Sequence, residues 1–355
     1  MTASTPSSPF LDACRGRVPS RTPVWFMRQA GRSLPEYRAA RGTGSILEAI
    51  AIPEIAAEVT LQPVRRYGVD AAILFSDIVV PVAAIGFGID VVPGRGPVAE
   101  QPFTSRDDLQ RLRPLEPDVD IPHVVETVKI LAAELDPVTT PLIGFAGAPF
   151  TVASYLVEGG PSRTFSKVKA LMHTDPALWT DLCEALADLA IAFITAQVNA
   201  GAQALQLFDS WAGALSPHEY RRFALPSTQR VMSELGALGV PRILFGVGTG
   251  EILSSMATSG ADVIGVDWRV PLDDATLRIG DRPLQGNLDP AICLAPIPVV
   301  EQEARDVLRR GAHAPGHIFN LGHGVLPETN PDTMKAVVDL VHAEGRAIAE
   351  KETAR

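Results

Sequence analysis

Eight short apolar runs, separated by longer amphipathic segments, are the feature of this sequence that most constrains its fold. Each run is flanked by Gly, Ser, Asp or Pro, and its nearly all-apolar character is expected of a strand buried on both faces. Strands that alternate with helices favour a parallel sheet covered by helices. The predicted strands are Val24–Met27, Ala71–Phe75, Leu142–Phe145, Ala204–Phe208, Ile243–Phe245, Val263–Val266, Pro283–Gln285 and Ile318–Asn320.

The segments between the runs predict helices, and the longest of them begin at proline, whose missing N–H costs nothing in the first helical turn. Asp175, Ser216 and Asn330 directly precede three of these prolines and can cap the helices that follow. The predicted long helices are Pro53–Tyr67, Pro122–Leu135, Pro176–Ala200, Pro217–Leu238, Pro298–Arg309 and Pro331–Glu344.

Eight strand–helix units predict an α/β fold of the (β/α)8 TIM-barrel type in a single domain. The alternative is an open doubly wound sheet, which requires a GxGxxG turn after an early strand. Here residues 28–32 (RQAGR) follow the first strand, and the glycine-rich stretch Gly246–Gly250 comes late with a different spacing. The Ser-, Thr- and Pro-rich start predicts a flexible N-terminal extension at residues 1–12, with the catalytic barrel at residues 13–355.

Charge and cysteine usage exclude several classes of protein. The formal net charge is −10 and no Lys/Arg-rich run is present, which argues against nucleic-acid binding. Cys14, Cys183 and Cys293 are far apart, which is typical neither of a disulfide framework nor of a CxxC metal site. The first residues lack a signal-peptide pattern, and no apolar run approaches the roughly 18 residues of a membrane span. We therefore expect a cytoplasmic protein that does not bind a membrane.

Arginines are concentrated after the first predicted strand, where a barrel of this type carries working residues. Arg28 and Arg32 follow that strand directly, and Arg38 and Arg41 come soon after. Their guanidinium groups are suited to bidentate recognition of carboxylates or phosphates. The alternative is that they form surface ion pairs with nearby acidic residues, namely Glu36, Glu48 or Glu54.

Asp77 follows the second predicted strand inside an apolar stretch, where a carboxylate is costly unless it has a partner. One interpretation is a helix N-cap beside Pro81, or a buried partner for an arginine. The other is an anion placed to accept hydrogen bonds from a bound ligand, or to stabilise a cation on it. Carboxylates with shifted pKa values cluster at functional sites, which favours the second interpretation.

Three further polar residues are predicted at the same mouth of the barrel, each with an ordinary structural alternative. His323 lies between two glycines that allow close approach to a ligand, but it could be a satisfied loop histidine. Tyr155 could pack its ring into the core, and Ser210 could cap the following segment. These candidates include no nucleophile–base pair and no metal cluster, so they suit a polyanionic substrate whose own chemistry supplies the electron sink.

Several segments resemble the uroporphyrinogen decarboxylase family, in order and at compatible spacing over nearly the whole chain. The longest are Pro23–Arg32 (PVWFMRQAGR) with Leu34–Arg38 (LPEYR), and Gly144–Thr151 (GFAGAPFT). Shorter matches are Ile73–Asp77, Phe208–Gly213, Gln285–Pro290 and Phe319–Gly324. One small departure is Ser33, where many members carry Tyr.

The resemblance implies a barrel fold, a homodimer, and a substrate site lined by Arg28, Gln29, Ala30, Gly31, Arg32, Arg41, Asp77, Tyr155, Ser210 and His323. It implies decarboxylation of the four acetate side chains of uroporphyrinogen III to coproporphyrinogen III and CO2, in porphyrin and haem biosynthesis. Arg28, Arg32 and Asp77 would be the catalytic residues, and no cofactor or metal would be needed. The identity of the proton donor stays open between an arginine–carboxylate pair and Asp77.

The alternative within the same fold is a zinc-dependent corrinoid or coenzyme methyltransferase. Such enzymes hold zinc with a His-x-Cys pair and a later Cys. None of the three cysteines here has a His two residues upstream, so a zinc thiolate site is hard to build.

Overall fold

A curled parallel sheet of seven strands forms the centre of the part of the chain that the computed structural model describes, residues 8–42 and 44–353. The strands are β1 (Ala72–Ile73), β2 (Ile89–Val92), β3 (Gly96–Ala99), β4 (Leu142–Gly147), β5 (Ala204–Asp209), β6 (Arg242–Gly246), β7 (Val263–Gly265), β8 (Leu284–Leu288) and β9 (His317–Leu321). The central sheet has the order β1-β4-β5-β6-β7-β8-β9, and its neighbours are all parallel. The predicted α/β barrel type is confirmed, with seven regular strands in place of eight.

Helices lie between successive strands, as the amphipathic segments predicted. Their bounds are α1 (Pro9–Cys14), α2 (Pro35–Arg41), α3 (Ile46–Ile50), α4 (Pro53–Tyr67), α5 (Val80–Ala84), α6 (Pro117–Asp120), α7 (Pro122–Glu134), α8 (Pro149–Glu158), α9 (Ser166–Thr174), α10 (Pro176–Ala200), α11 (Pro217–Glu219), α12 (Leu225–Leu235), α13 (Leu253–Met256), α14 (Leu272–Ile279), α15 (Ile297–Gly311) and α16 (Pro331–Thr353). The bounds of α4 and α10 are those predicted. Asp175 and Ser216 cap α10 and α11 as expected.

The predicted first strand, Val24–Met27, is reduced to a bridge between Val24 and Phe319 of β9. Phe319 N–H donates to Pro23 O at 2.8 Å, and Asp70 N–H donates to Val24 O at 2.8 Å, so this segment connects β9 to the residues before β1. The Trp25 N–H still donates to Phe319 O of β9 at 3.3 Å, but the next two backbone N–H groups donate to side chains. Gln29 Oε1 accepts the N–H of Phe26, and Asn320 Oδ1 accepts that of Met27, each at 3.0 Å.

One predicted helix is interrupted and one hairpin was not predicted. The segment Pro217–Leu238 contains a π-helical turn at Tyr220–Ala224, next to Pro226, which cannot donate a helical hydrogen bond. The antiparallel pair β2–β3 turns at residues 93–95. Its sequence signal is the Pro93-Gly94 pair between two short apolar stretches, with Gly94 at φ +76°.

The predicted flexible extension covers residues 1–12, of which residues 1–7 lie outside the described part of the chain. From Pro9 onward the segment forms α1, which Ser8 caps by accepting a hydrogen bond from Leu11 N–H at 3.0 Å. Phe10 of this helix is fully buried. Burial of such a large apolar side chain holds α1 to the barrel, so the predicted boundary after residue 12 is corrected to a position before Pro9.

Candidate active site

The turn that carries Arg28 is held from beneath by Gln29. The Gln29 side chain is buried, and its amide donates to Ala71 O at 3.2 Å while its oxygen accepts from Phe26. Arg28 itself has φ +58°, in the left-handed region, and is exposed. The Gln29 side chain therefore fixes the turn that presents Arg28, and that Gln29 lines the substrate site stays a prediction.

The side chain of Arg28 lies against the turn at Gly322–Gly324. A Cβ on Gly324 would overlap the Arg28 methylene groups, and one on Gly322 would overlap Trp268. The turn therefore fits between Arg28 and Trp268 only because both positions are glycine. Gly31 is needed for a similar reason, since a Cβ there would lie 2.9 Å from Arg28 O. Ala30 lies beside it, half-buried.

Asp77 lies just beyond β1 at the carboxyl end of the sheet. Its Oδ1 accepts the N–H of Val79 at 3.0 Å, while the N-cap of α5 is Val79 and not Asp77. Burial raises the pKa of this carboxyl above its ordinary value, and the backbone N–H of Val79 and the Arg28 guanidinium oppose that shift. Burial therefore destabilises the ionised form of Asp77, while a nearby guanidinium stabilises it. Asp77 is not the helix cap of the alternative interpretation.

Tyr155 and Trp211 stack beside Asp77. Their ring centroids lie 3.9 Å apart at an interplanar angle of 33°. Burial raises the pKa of the Tyr155 hydroxyl to about 12, and the charge of Asp77 acts in the same direction while that of Arg28 opposes it. The hydroxyl is therefore protonated at neutral pH and able to donate a hydrogen bond. Ser210 precedes Trp211 in the turn after β5 and is half-buried.

His323 lies on the other side of Arg28. Burial lowers the pKa of its imidazole to about 4, and the charges of Arg28 and Arg269 lower it further while that of Asp267 raises it. A neutral imidazole at physiological pH can donate one hydrogen bond without a charge of its own. The Arg28 guanidinium thus acts on the pKa of Asp77, Tyr155 and His323, and that these residues line a substrate site stays a prediction.

Arg32 and Arg41 lie farther out, in an open cleft. The cleft is lined by Arg32, Tyr37, Arg38, Arg41, Gly42, Pro327 and Glu328. Arg41 donates to Gly44 O at 2.8 Å, and Arg38 donates to Arg32 O at 2.7 Å. The cleft therefore holds three guanidinium groups near the Arg28 turn.

The predicted alternative of surface ion pairs does not describe these arginines. Glu36 pairs with Arg66 at 3.1 Å, and Glu48 accepts the N–H of Ser45 at the start of α3. Among the side chains that the structure describes, no carboxylate forms an ion pair with Arg28 or Arg32. Both guanidinium groups are thus available to an anionic ligand.

Asp267, Trp268 and Arg269 form a cluster just after the predicted strand Val263–Val266, and Trp268 and Arg269 were not among the predicted site residues. Arg269 Nη1 donates to Asp267 Oδ2 at 2.7 Å, and its guanidinium lies 3.9 Å from the centre of the Trp268 ring. The Asp267 side chain is 1% exposed, while that of Arg269 is 51% exposed. The signal in the sequence was an arginine two residues after the aspartate that ends a predicted strand.

Asp209 lies at the end of β5 and is fully buried. Its Oδ1 accepts the Thr151 hydroxyl at 2.7 Å, and Thr151 Oγ1 accepts the N–H of Trp211 at 3.2 Å. Among the described residues Asp209 Oδ2 has no hydrogen-bond partner. Burial raises the pKa of Asp209 to about 6, and the bonds to Thr151 oppose the shift. Asp209 thus holds the turn at Trp211 in place through Thr151, and the burial of its charge lowers the free energy of unfolding at neutral pH.

Replacing Asp209 with Asn is expected to raise the free energy of unfolding at neutral pH. A carboxyl whose folded pKa is raised to about 6 from 3.8 contributes most stability below the unfolded value and loses it as the pH rises through 6. The shift corresponds to at most about 3 kcal/mol. Asn keeps an acceptor for Thr151 and carries no charge, so we expect a gain of about 1–3 kcal/mol near pH 7.5 that vanishes near pH 4.

Urea unfolding of both proteins at several pH values measures this difference. Asp339→Asn, on the exposed face of α16, serves as a control and should show no such pH dependence. A loss of stability in Asp209→Asn at neutral pH would contradict the view that the Asp209 charge is costly.

The zinc alternative requires cysteine thiolates and a histidine that can reach one metal ion. All three cysteines are buried, and burial raises the pKa of each thiol. Within the described residues no group of three or more His, Cys, Asp and Glu side chains could hold a metal ion. In the same residues no helix is long and apolar enough to cross a membrane.

Comparisons with known proteins bear on the family to which this chain belongs. The family model described as uroporphyrinogen decarboxylase (URO-D) matches residues 5–344. A uroporphyrinogen decarboxylase of Salinispora tropica is 60% identical over 336 residues, which are 94% of this chain and 90% of that protein. One of Streptomyces griseus is 56% identical over 342 residues, which are 96% of this chain and 93% of that protein.

Solved structures show the same fold at low sequence identity. A methyltransferase from Methanosarcina mazei has a TM-score of 0.74 at 24% identity, covering 95% of this chain and 98% of its own. A B12-independent methionine synthase from Shewanella has a TM-score of 0.58 at 14% identity, covering 88% and 91%. Because the sequence relatives cover nearly the whole length and the family model matches most of the chain, the chain belongs to the uroporphyrinogen decarboxylase family.

Proposed function

We propose that this protein removes the carboxyl groups of the four acetate side chains of uroporphyrinogen III, giving coproporphyrinogen III and four CO2. The observation that carries the proposal is the Asp77 carboxylate at the carboxyl end of a barrel sheet, where the Arg28 guanidinium lowers its pKa and also acts on the pKa of Tyr155 and His323. The name shared by relatives at 56–60% identity supports the same reaction.

The substrate supplies its own electron sink. Protonation of a pyrrole α-carbon makes a cation on the ring that carries the acetate group. The bond between the acetate methylene and its carboxylate breaks, CO2 leaves, and the bonding electrons neutralise the cation as an exocyclic double bond. A proton then adds to the methylene and the α-carbon loses its proton, so each turn consumes one proton and converts CH2–COO⁻ into CH3. No bound electron acceptor is required, and we propose that the reaction uses no cofactor or metal.

Asp77 stabilises the cationic intermediate. As an anion it accepts hydrogen bonds from the pyrrole N–H groups, and its charge opposes the positive charge that develops when the ring is protonated. Burial raises the free energy of the ionised carboxylate, so a cationic partner gains more from it than it would from a solvated one. This role requires the ionised form, and the Arg28 guanidinium favours that form.

The arginines hold the substrate side chains. The Arg28 guanidinium acts on the Asp77 carboxyl, and Arg32 and Arg41 line the cleft that follows the Arg28 turn along the chain, so a flat polycarboxylate centred on Asp77 would extend its rim toward these guanidinium groups. Tyr155 and His323 donate neutral hydrogen bonds at that rim, together with the Ser210 hydroxyl. The backbone of Gln29, Ala30 and Gly31 forms the floor that positions Arg28.

We also propose that the protein is a cytoplasmic homodimer. Both proposals rest on membership of the uroporphyrinogen decarboxylase family. Neither proposal affects the chemistry at Asp77.

Removing bound metal is expected to leave turnover of uroporphyrinogen unchanged, because the ring cation takes the role of a Lewis acid. The test compares initial rates of protein dialysed against a chelator with those of untreated protein, with and without added zinc. The buffer with chelator but no protein is the blank. Loss of activity on chelation that zinc restores would reject the cofactor-free mechanism and favour the methyltransferase alternative.

A further inference from the structure

The turn at residues 322–324 separates two guanidinium groups at the barrel mouth. The Arg28 side chain packs on one flank of this turn at Gly324, and the Trp268 backbone packs on the other at Gly322. His323 at its centre is influenced by the charges of both Arg28 and Arg269. The mouth therefore continues past His323 to Arg269.

Arg269 is held in a fixed orientation before any ligand arrives. Its guanidinium stacks 3.9 Å from the Trp268 ring and donates to Asp267, whose other oxygen accepts the Arg269 N–H at 3.0 Å. Asp267 also accepts the N–H of Gly248. A guanidinium anchored by one nitrogen retains further N–H donors, and half of this side chain is exposed.

The stacking on Trp268 and the bond to Asp267 lower the entropic cost of binding an anion with Arg269. A free arginine loses rotamer freedom when it binds an anion, whereas stacking and the ion pair have already removed much of that freedom here. The buried imidazole of His323 beside it is neutral, so it adds a hydrogen-bond donor without a competing carboxylate.

We propose that Arg269 and His323 form a carboxylate-binding subsite at the barrel mouth that takes one side-chain carboxylate of the tetrapyrrole. This inference rests on the proposed function. The Gly322–Gly324 turn lies between Arg28 and Trp268, so the subsite lies on the far side of that turn from Arg28. The longer propionate side chain reaches it, while the shorter acetate stays near Asp77.

The subsite therefore acts on binding at every step of the reaction. The propionate side chains persist through all four decarboxylations. The subsite should therefore contribute equally to the binding of the first and of the last substrate. Its contribution should appear in KM, because the propionate carboxylate carries the same charge in the ground state and in the transition state.

Initial rates are measured for Arg269→Ala, Arg269→Gln and Arg269→Lys with uroporphyrinogen and with the pentacarboxylate porphyrinogen. We expect KM to rise at least about tenfold for Arg269→Ala and Arg269→Gln with both substrates, as for loss of a hydrogen bond to a charged group. The kcat should change less than threefold. Lys cannot reproduce the stacked fork and should recover only part of the affinity.

Arg305→Ala is the matched control, because Arg305 is 46% exposed and bonded to carboxylates on the outer helices. Circular dichroism of each variant checks that the fold is retained. An unchanged KM in folded Arg269→Ala, while the unsubstituted protein turns over, overturns the subsite alone. A rise in KM with uroporphyrinogen only overturns the assignment to propionate. Absence of turnover in the unsubstituted protein overturns the proposed function and the subsite together.

Discussion

Replacing Asp77 with Asn is expected to lower kcat by about 10²–10³, the effect of losing one preorganised electrostatic contact in a catalytic site. Asn has the size and shape of Asp but no negative charge, and its amide N–H would face the pyrrole N–H donors. The KM should change little, because the arginines still hold the substrate carboxylates. Initial rates under anaerobic conditions measure both parameters.

The fold of Asp77→Asn is expected to remain intact. Asp77 Oδ1 accepts the Val79 N–H at 3.0 Å, and an Asn oxygen can accept the same bond. Asp90→Asn is a matched control, since exposed Asp90 accepts the adjacent Val91 N–H at 2.7 Å and lies in the β2–β3 hairpin. If Asp77 only shaped the local turn, both variants would be stable and fully active.

Asp77→Glu separates the charge from its position. Glu keeps the negative charge but extends it by one methylene into a filled cleft, so it should be impaired through misplacement. A Glu variant as slow as the Asn variant would mean that placement matters as much as charge.

Replacing Arg28 with Ala is expected to lower kcat/KM about thirtyfold or more, which corresponds to about 2 kcal/mol for loss of one partner in a desolvated charge pair. Arg28 is the residue whose charge acts on Asp77, Tyr155 and His323 together. Steady-state rates give the ratio, with Arg65→Ala on the outer face of α4 as the control.

The pH dependence gives a second readout for Arg28. The pKa of Asp77 is raised by burial and lowered by Arg28, so removing the guanidinium should raise it further. Because activity requires the ionised carboxylate, the acidic limb of the kcat profile should move to higher pH in Arg28→Ala. Arg28→Lys keeps the positive charge, so its acidic limb should lie at the same pH as in the unsubstituted protein. Its affinity for the substrate should stay low, because an ammonium group cannot bind a carboxylate in the bidentate way. An unmoved limb in Arg28→Ala would show that this guanidinium does not act on the catalytic carboxylate.

The strands were predictable because a strand buried on both faces leaves a contiguous apolar run, as at Leu142–Gly147 and Ala204–Asp209. The segment after Val24 has the same apolar composition. Its Phe26 and Met27 N–H groups, however, donate to the side chains of Gln29 and Asn320 and not to a neighbouring strand. Asn320 is almost 300 positions away along the chain. Local pattern carries no information about such a partner.

The same reasoning explains which site residues were found. Arg28 and Asp77 could be predicted because polar residues directly after buried strands stand out. Arg269 was missed because its role depends on the Gly322–Gly324 turn, which only the sheet order places beside Trp268. The burial of the Gln29 side chain could not be predicted either, because the residues around it in the sequence are equally compatible with an exposed amide.

Chromatography of the oxidised products tests the central claim most directly. Metal-stripped protein and its Asp77→Asn variant are incubated anaerobically with uroporphyrinogen III in parallel, and the porphyrins are separated by their number of carboxyl groups. We predict that the unsubstituted protein yields the tetracarboxylate product, while the variant leaves nearly all of the octacarboxylate over the same time. Unchanged octacarboxylate with the unsubstituted protein, or full conversion by the variant, would contradict a decarboxylase that depends on the charge of Asp77.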